Sequence, residues 1–139
     1  MTSEETPIVS APIVMPITSD EAPTPTGPFH HATRHGSFVF TSGQAGRNRD
    51  TGTMGDVGEQ VDWALRNIAA ILTAAGSSMD NVLKVTLILR DDVTDMAPVN
   101  DAYKRHFTTL PARTSFFVSR LKNADMLVEI EAVAVVSSL

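Results

Sequence analysis

The chain contains no cysteine, no run of lysine or arginine and no long apolar segment. The absence of cysteine excludes disulfides, thiolate catalysis and cysteine-based zinc sites. Because the formal net charge is -5 and no basic run is present, the surface is not suited to neutralising phosphates, and we expect no nucleic-acid partner. No apolar segment approaches membrane-spanning length, so we expect no membrane partner either.

The N-terminal segment differs in composition from the rest of the chain. Residues 1–15 are proline-rich and aperiodic, which predicts a flexible tail with little core of its own. The tail carries acidic residues where a signal peptide has its positive region, so we expect a cytoplasmic protein. At 139 residues and 42% hydrophobic, the chain suits one domain, which we place at residues 16–139.

Two segments near the C-terminus alternate with the period of a β-strand. One begins at Arg113. The other begins at Leu127 and sets Glu129 and Glu131 on one face, opposite an unbroken apolar face. Carboxylates in the middle of a strand are costly unless they are solvated or paired. The sequence therefore predicts a function for the acids and the arginine on what look like adjacent strands.

The remaining elements follow from turn and helix signals. Two strands joined by a tight turn at residues 34–37 predict a hairpin, preceded by one short edge strand at residues 16–18. Asp56 and Glu59 resemble a capping box for a helix that Gly76 ends. A strand over residues 82–89 follows, with Leu83 on its apolar face. Thr94 or Asp95 can cap a second helix.

The order β, β-β, α, β, α, β, β predicts an α/β (α+β) two-layer sandwich, in which one mixed sheet carries both helices on a single face. The other face of the sheet is then uncovered. Its residues are too apolar for open water, so we expect another subunit to cover them. They are Phe38 or Val39, Ile88, Phe117, Val133 and Val135.

Each candidate functional residue has a structural alternative. The planar guanidinium of Arg113 could bind a substrate carboxylate through two hydrogen bonds, or it could form an ion pair with Glu129 or Glu131. Glu129 could act as a general base beside a carbonyl or imine carbon, or it could form a salt bridge at a subunit interface. For Glu131 we favour the interface.

Further polar residues are weaker candidates. Asn100 lies on the apolar stripe of the second helix, so we expect its amide to be buried and hydrogen-bonded. Ser42 and Gly43 lie in a small-residue turn that could expose a hydroxyl or backbone N–H groups to a ligand. Lys84 is more often a solvated or interface lysine than a Schiff base. The spacing of the four histidines predicts no metal site.

Several short motifs, in order and at compatible spacing between about Pro16 and Val136, resemble the signature of the RidA family, also called YjgF/YER057c/UK114. They are Phe40-Thr41-Ser42-Gly43-Gln44, Ala74-Ala75-Gly76, Val99-Asn100-Asp101-Ala102-Tyr103, Phe107, Pro111-Ala112-Arg113-Thr114 and the segment 128–135.

The resemblance implies a chorismate-mutase-like fold and a homotrimer whose sheets form a central barrel with three inter-subunit clefts. It also implies hydrolytic deamination of reactive enamines and imines, such as 2-aminoacrylate, to 2-keto acids and ammonia, without metal or organic cofactor. In this reading Arg113 binds the substrate carboxylate and Glu129 positions the attacking water. Asn100, Ser42 and Gly43 match further cleft positions.

The chain departs from the family pattern at two cleft positions. Phe29 stands where many members have a tyrosine, and His30 and His31 follow it, so a histidine could replace the tyrosine as proton donor. Ser115 stands where a cysteine is frequent. The alternative function is a non-catalytic trimeric module that binds small carboxylates or a partner protein, and retention of Arg113 with Glu129 disfavours it. An endoribonuclease activity, also attached to this family, is disfavoured by the acidic balance.

Overall fold

The structure, a computed structural model, describes residues 13–137. Two helices are present, α1 (Val57–Ala74) and α2 (Ala97–Lys104), together with a 3-10 turn at Met79–Asn81. The strands are β1 (Met15–Ile17), β2 (Ala32–His35), β3 (Phe38–Thr41), β4 (Gln44–Ala45), β5 (Val82–Arg90), β6 (Ala112–Val118) and β7 (Val128–Val135). The predicted order of elements is confirmed, and β4 is an additional short strand.

Residues 1–12 of the predicted tail lie outside the described residues. Met15, which we had assigned to that tail, already belongs to β1 and pairs with Arg34 of β2. The ring nitrogen Nδ1 of His35 lies 3.1 Å from the carbonyl oxygen of Ile13. The ordered domain therefore begins slightly before Pro16.

The sheet has the strand order β1-β2-β3-β7-β5-β6, and β4 pairs separately with β7. Strands β5 and β6 are parallel, and α2 forms the crossover between them; the other pairings are antiparallel. Helix α1 lies against β3, β4 and β7, and α2 packs on α1. The predicted mixed sheet with two helices on one face is therefore confirmed.

The hydrophobic core fills the space between α1 and the helix-facing side of the sheet. Alternate residues of β5 and β7 point into it, as the period of two predicts. Each large side chain that is fully buried here stabilises the fold by about 1.5–3 kcal/mol. The largest are Leu65, Ile68, Ile71, Leu72, Leu87, Leu89 and Ile130.

Helix α1 begins with the predicted capping box. The Asp56 carboxylate accepts a hydrogen bond from the Glu59 backbone N–H, and the Glu59 carboxylate accepts one from the Asp56 N–H, both at 2.9 Å. Gly76, just after the helix, has φ of +83°, a conformation that glycine adopts at little cost. The N-cap position of α2 is Met96, which makes no side-chain cap hydrogen bond, so the prediction that Thr94 or Asp95 is the N-cap is wrong. The Asp95 carboxylate nevertheless accepts a hydrogen bond from the Ala97 N–H at 3.0 Å, because it lies just before the helix.

One residue of β5 does not lie where the alternation placed it. Leu83 was predicted on the buried face together with Val85, but its side chain is 46% exposed. The register with β7 shifts between Val82 and Lys84, so that the extra residue bulges out of the ladder. Val82 points into the core in its place.

The face of the sheet without helices carries apolar residues, but its membership differs from the prediction, and Lys84, Thr86, Glu129 and Glu131 lie on it as well. Register pairs share a face, so Phe38 and Phe40 lie beside Val135 and Val133. Phe117 pairs with the buried Leu89 and therefore lies on the helix side, whereas Phe116 pairs with Ile88 on the open side. The open apolar face consists of Phe38, Phe40, Ile88, Phe116, Val133 and Val135.

Candidate active site

Arg113 and Glu129 do not lie on adjacent strands, contrary to the prediction. Strand β5 separates β6 from β7. Arg113 pairs with Val85, whose side chain is buried on the helix side, whereas Glu129 pairs with Ile88 on the open face. The sequence misled because the two strands follow one another in the chain but are not neighbours in the sheet. Among residues 13–137 Arg113 forms no ion pair, so an intrachain salt bridge with Glu129 or Glu131 is excluded.

Glu129 lies in the wall of a cleft of about 400 Å³. Three parts of the chain that are distant in sequence form this cleft: the loop before β2, the β3–β4 turn, and the segment from residue 122 to β7. Phe29 and Gly43, both predicted site residues, line it together with Glu129. A cleft of this volume is within the usual range for small-molecule sites.

The environment of Glu129 favours its protonated form. Burial raises the pKa of the Glu129 carboxyl, the negative charge of Glu131 raises it further, and Lys122 opposes both. In the part of the chain that the structure describes, the carboxylate has no ion-pair partner. A carboxyl with a raised pKa in a cleft is typical of a general acid or base.

Gly43 leaves the room that Glu129 occupies. A Cβ atom added at Gly43 would lie 2.8 Å from Cδ of Glu129 and closer still to one of its oxygens. Any other residue at position 43 would therefore displace the carboxyl group. This steric role accompanies the backbone N–H role that the sequence suggested for the turn.

His31 holds the loop that forms the opposite wall of the cleft. Its ring is buried, with Nδ1 accepting a hydrogen bond from the Ser19 backbone N–H at 3.0 Å. Its Nε2 atom lies 2.7 Å from the Pro23 carbonyl oxygen and therefore donates to it. Both ring nitrogens are thus used for structure, so His31 is not available as the proton donor that the sequence suggested. His30 is exposed.

The guanidinium of Arg113 stacks on Tyr103 of α2, with Cζ 4.7 Å from the ring centroid. Tyr103 itself is 4% exposed and packs against Phe107 with 4.9 Å between ring centroids. Burial raises the pKa of the Tyr103 hydroxyl to about 12, although Arg113 opposes the rise. The stack fixes the plane of the guanidinium and leaves its edge free for a carboxylate.

Asn100 was predicted to be buried on the apolar stripe of α2, but it is exposed. It precedes Tyr103 by three residues and so lies beside it on the helix surface. Ser115, two residues after Arg113, pairs with Leu87 and is also exposed on the helix side of the sheet. Arg113 and Ser115 share the helix side of β6, and Asn100 is on α2, the helix that carries Tyr103; none of the three lines the cleft that contains Glu129.

Ser42 belongs to the Glu129 side of the molecule. Its hydroxyl donates to the His30 carbonyl oxygen at 2.6 Å, and its backbone N–H donates to the His31 carbonyl oxygen at 2.9 Å. Because the hydroxyl proton is already hydrogen-bonded to the His30 carbonyl oxygen, Ser42 can act toward a ligand only as a hydrogen-bond acceptor. This geometry disfavours a nucleophilic role for the hydroxyl.

Sequence reasoning missed two cations of the cleft, Arg47 and Lys122. Arg47 lies 3.7 Å from the Asp125 carboxylate and donates to the Gly52 carbonyl oxygen at 2.9 Å. Lys122 donates to the Thr26 hydroxyl at 2.6 Å, and its Nζ atom lies 6.0 Å from the Phe29 ring centroid. Both residues are in loops, where no periodic pattern predicts the direction of a side chain.

The buried amide of Gln60 positions the segment that carries Lys122. Its nitrogen donates to the carbonyl oxygens of Gly55 and Asp125, at 2.9 and 3.0 Å, and its oxygen accepts from the Leu127 N–H at 2.8 Å. Helix α1 is thereby tied to the cleft wall.

Within residues 13–137, no group of three or more His, Cys, Asp or Glu side chains could hold a metal ion. Neither of the described helices combines the length and hydropathy that a bilayer crossing requires.

Comparison with known proteins places the chain in a family. Residues 19–136 match the family model described as endoribonuclease L-PSP. A RutC family protein of Pyrococcus horikoshii is 43% identical over 121 residues, covering 85% of this chain and 94% of the relative. The 2-iminobutanoate/2-iminopropanoate deaminase of Bos taurus is 39% identical over 122 residues, covering 86% and 88%.

Solved structures support the same family assignment. The crystal structure of Escherichia coli TdcF with bound serine superposes with a TM-score of 0.81 at 38% identity, covering 88% of this chain and 98% of that one. The chain belongs to the endoribonuclease L-PSP family, also known as the YjgF or RidA family. The resemblance inferred from the sequence is confirmed.

Proposed function

We propose that this protein is an imine deaminase, which hydrolyses 2-imino acids and their enamine tautomers to 2-keto acids and ammonia. The half-buried, unpaired Glu129 carboxyl in the wall of the cleft is the observation that carries the proposal. A relative at 39% identity is named for deamination of 2-iminobutanoate and 2-iminopropanoate, which supports the same C–N bond chemistry here.

The active site needs a second copy of the chain. Arg113 and Glu129 are on opposite faces of one protomer's sheet, so a substrate held on Arg113 cannot reach Glu129 of the same subunit. The open apolar face supplies the surface through which copies would associate, since Phe38, Phe40 and Phe116 are each 44–48% exposed on it. In the proposed homotrimer, Arg113 of one subunit faces Glu129 of its neighbour across each of three clefts.

In the proposed reaction, Arg113 binds the substrate carboxylate and fixes the imine carbon near Glu129. The Glu129 carboxylate accepts a proton from a water molecule as the water oxygen bonds to the imine carbon, and it donates this proton to the imine nitrogen, giving a neutral carbinolamine. Glu129 then accepts the hydroxyl proton of the carbinolamine and donates it to the nitrogen, so that the C–N bond breaks and ammonia leaves as the carbonyl forms. One water is consumed and one ammonia is released. The raised pKa of Glu129 suits both transfers.

The imine carbon is already electrophilic, so positioning supplies much of the required acceleration. Phe29 provides an apolar wall, Gly43 leaves room for the Glu129 carboxyl, and Ser42 can accept a hydrogen bond from the substrate nitrogen. Asn100 and Ser115 extend the carboxylate-binding group around Arg113. No group in this scheme requires a metal or an organic cofactor.

Ammonia release tests the proposal. The purified protein is mixed with 2-iminobutyrate generated in place by an amino-acid oxidase, with catalase present, and ammonia is measured against the uncatalysed rate. We expect faster release with wild-type protein. Release at the uncatalysed rate by a well-folded protein that still binds 2-ketobutyrate would instead support the non-catalytic carboxylate-binding module.

A further inference from the structure

The cleft around Glu129 carries more positive than negative charge. Three ionisable side chains line it: Arg47, Lys122 and Glu129. Arg47 is largely neutralised, because Asp125 lies 3.7 Å away and the Gly52 carbonyl oxygen accepts one of its N–H groups. Lys122 has no carboxylate within ion-pair distance among the described residues. Its charge is therefore the one that a ligand could neutralise.

Lys122 is held in place although it lacks an anionic partner. Its ammonium group donates to the neutral Thr26 hydroxyl at 2.6 Å and lies 6.0 Å from the Phe29 ring centroid. The hydrogen bond uses one of the three N–H donors of the ammonium group, and the Phe29 ring lies near one side of that group. The remaining donors are available to a ligand, since Lys122 lines the cleft and is exposed.

Lys122 is not needed for the carboxylate that all 2-imino acids share. In the proposed function that group is bound by Arg113, which belongs to a different face of the sheet and reaches the cleft from the neighbouring subunit. Positive charge is therefore present in the cleft beyond the group that binds the shared carboxylate.

We propose that Lys122 is a specificity-determining residue that makes this enzyme prefer 2-imino acids with a second anionic group on the side chain, such as the imine of glutamate. The inference rests on the proposed function. The substrate would span the cleft, with its first carboxylate on Arg113, its imine carbon beside Glu129 and its second carboxylate on Lys122.

The test compares two imines with four proteins. Glutamate and 2-aminobutyrate are each oxidised in place by an amino-acid oxidase with catalase, and kcat/KM is measured above the uncatalysed rate. The proteins are wild type, Lys122→Gln, Lys122→Arg and, as a control, Arg66→Gln. Arg66 is a cation of α1 that pairs with Asp62 and does not line the cleft. Affinities for 2-oxoglutarate and 2-ketobutyrate are measured by calorimetry on the same four proteins.

We expect Lys122→Gln to lower kcat/KM for the glutamate imine about tenfold, the loss of one charge-assisted hydrogen bond. Lys122 also lowers the pKa of Glu129, so Lys122→Gln can change activity on both imines by a common factor. The ratio of kcat/KM for the glutamate imine to kcat/KM for 2-iminobutyrate removes that factor, and we expect this ratio to fall about tenfold. Lys122→Arg should retain most of the preference, Arg66→Gln should behave as wild type, and 2-oxoglutarate affinity should fall in parallel with activity.

Equal losses on both imines would overturn the inference, because Lys122 would then bind the shared carboxylate or support the cleft wall. An unchanged preference in Lys122→Gln, or a wild-type enzyme that favours 2-iminobutyrate, would overturn it as well. In each of these cases hydrolysis of 2-iminobutyrate by wild type leaves the proposed function standing. A wild type inactive on both imines would instead refute the proposed function itself.

Discussion

At the scale of single residues, the two central side chains have different environments and therefore different jobs. Arg113 is stacked on Tyr103 and has no ion-pair partner among residues 13–137, which suits binding of an anion. Glu129 is half-buried, and burial with a like charge nearby raises its pKa, which suits proton transfer. Substitutions at the two positions should consequently affect different kinetic parameters.

Arg113→Lys should lose both 2-ketobutyrate affinity and turnover, because an ammonium cannot reproduce the two parallel hydrogen bonds of a guanidinium. Glu129→Gln keeps the shape of the side chain but removes the base. It should lower kcat about 10²- to 10⁴-fold, the usual contribution of general-base catalysis, and leave 2-ketobutyrate affinity largely intact. Calorimetry measures 2-ketobutyrate affinity and imine hydrolysis measures turnover, so both assays on the two variants separate a binding role from a general-base role. Wild-type turnover in a folded Arg113→Lys protein would end the assignment of that arginine.

Glu129 should also make stability depend on pH. Because its pKa is raised in the native state, the native chain holds the proton to higher pH than the unfolded chain does. The free energy of unfolding therefore falls as pH rises from the Glu129 pKa of the unfolded chain to the raised pKa of the folded chain. Above the folded pKa the protein stays less stable by the same amount. Glu129→Gln should raise the free energy of unfolding near neutral pH and leave it unchanged below the ordinary glutamate pKa of about 4.3.

Urea unfolding at several pH values and one fixed protomer concentration measures this difference. A Glu129→Gln variant that is less stable than wild type near neutral pH would indicate a stabilising salt bridge with a neighbouring subunit, which is the structural alternative to a catalytic role.

At the scale of elements, the cleft depends on how loops are held rather than on the strands alone. His31 fixes the loop at residues 19–23 through both ring nitrogens, and Gln60 fixes the segment before β7 through three hydrogen bonds. These two buried polar groups place the cleft walls on either side of Glu129.

His31→Ala should lower the free energy of unfolding by about 2–3 kcal/mol, because it leaves the Ser19 N–H and Pro23 carbonyl without partners and creates a cavity. It should also raise KM for 2-iminobutyrate as the cleft wall moves. The neighbouring His30→Ala is a matched control, since His30 is exposed, and should change stability by about 0.5 kcal/mol or less. Chemical denaturation measures the free energy of unfolding of both variants. Equal losses in His31→Ala and His30→Ala would show that the His31 hydrogen bonds do not stabilise the fold.

At the scale of the whole molecule, we propose that the open apolar face governs assembly. Six apolar residues lie on the side of the sheet that carries no helix, together with Lys84, Thr86 and Glu131, and exposed apolar residues rimmed by polar ones are typical of an interaction surface. In the proposed trimer, association through this face also brings Arg113 of one subunit toward Glu129 of its neighbour. A variant that cannot assemble should therefore be inactive as well.

We expect wild type to be a trimer by light scattering at micromolar concentration. Phe40→Asp places a carboxylate in the middle of the open face and should yield an inactive monomer that remains folded, because Phe40 is 48% exposed in the protomer. Thr51→Asp introduces the same charge in an exposed loop and should remain trimeric and active. An active Phe40→Asp monomer would contradict the inter-subunit site.

Local patterns in the sequence determined the strands, the capping box of α1, the two-layer arrangement and the existence of an uncovered apolar face. Each depends on residues close together in the chain, whose period or hydrogen bonding decides the outcome. The family resemblance identified Arg113 and Glu129 as candidates, but the sequence placed them on adjacent strands.

Only the tertiary structure decided where those residues lie and what surrounds them. The insertion of β5 between β6 and β7 separates Arg113 from Glu129, and the register of both strands with β5 sets the two residues on opposite faces. The bulge at Leu83 changes which side chains are buried. The meeting of Phe29, Gly43 and Lys122 likewise joins segments far apart in sequence. Strand order and loop contacts result from packing between segments that are far apart in the chain and compete for the same core. The periodicity of a single segment therefore does not predict them.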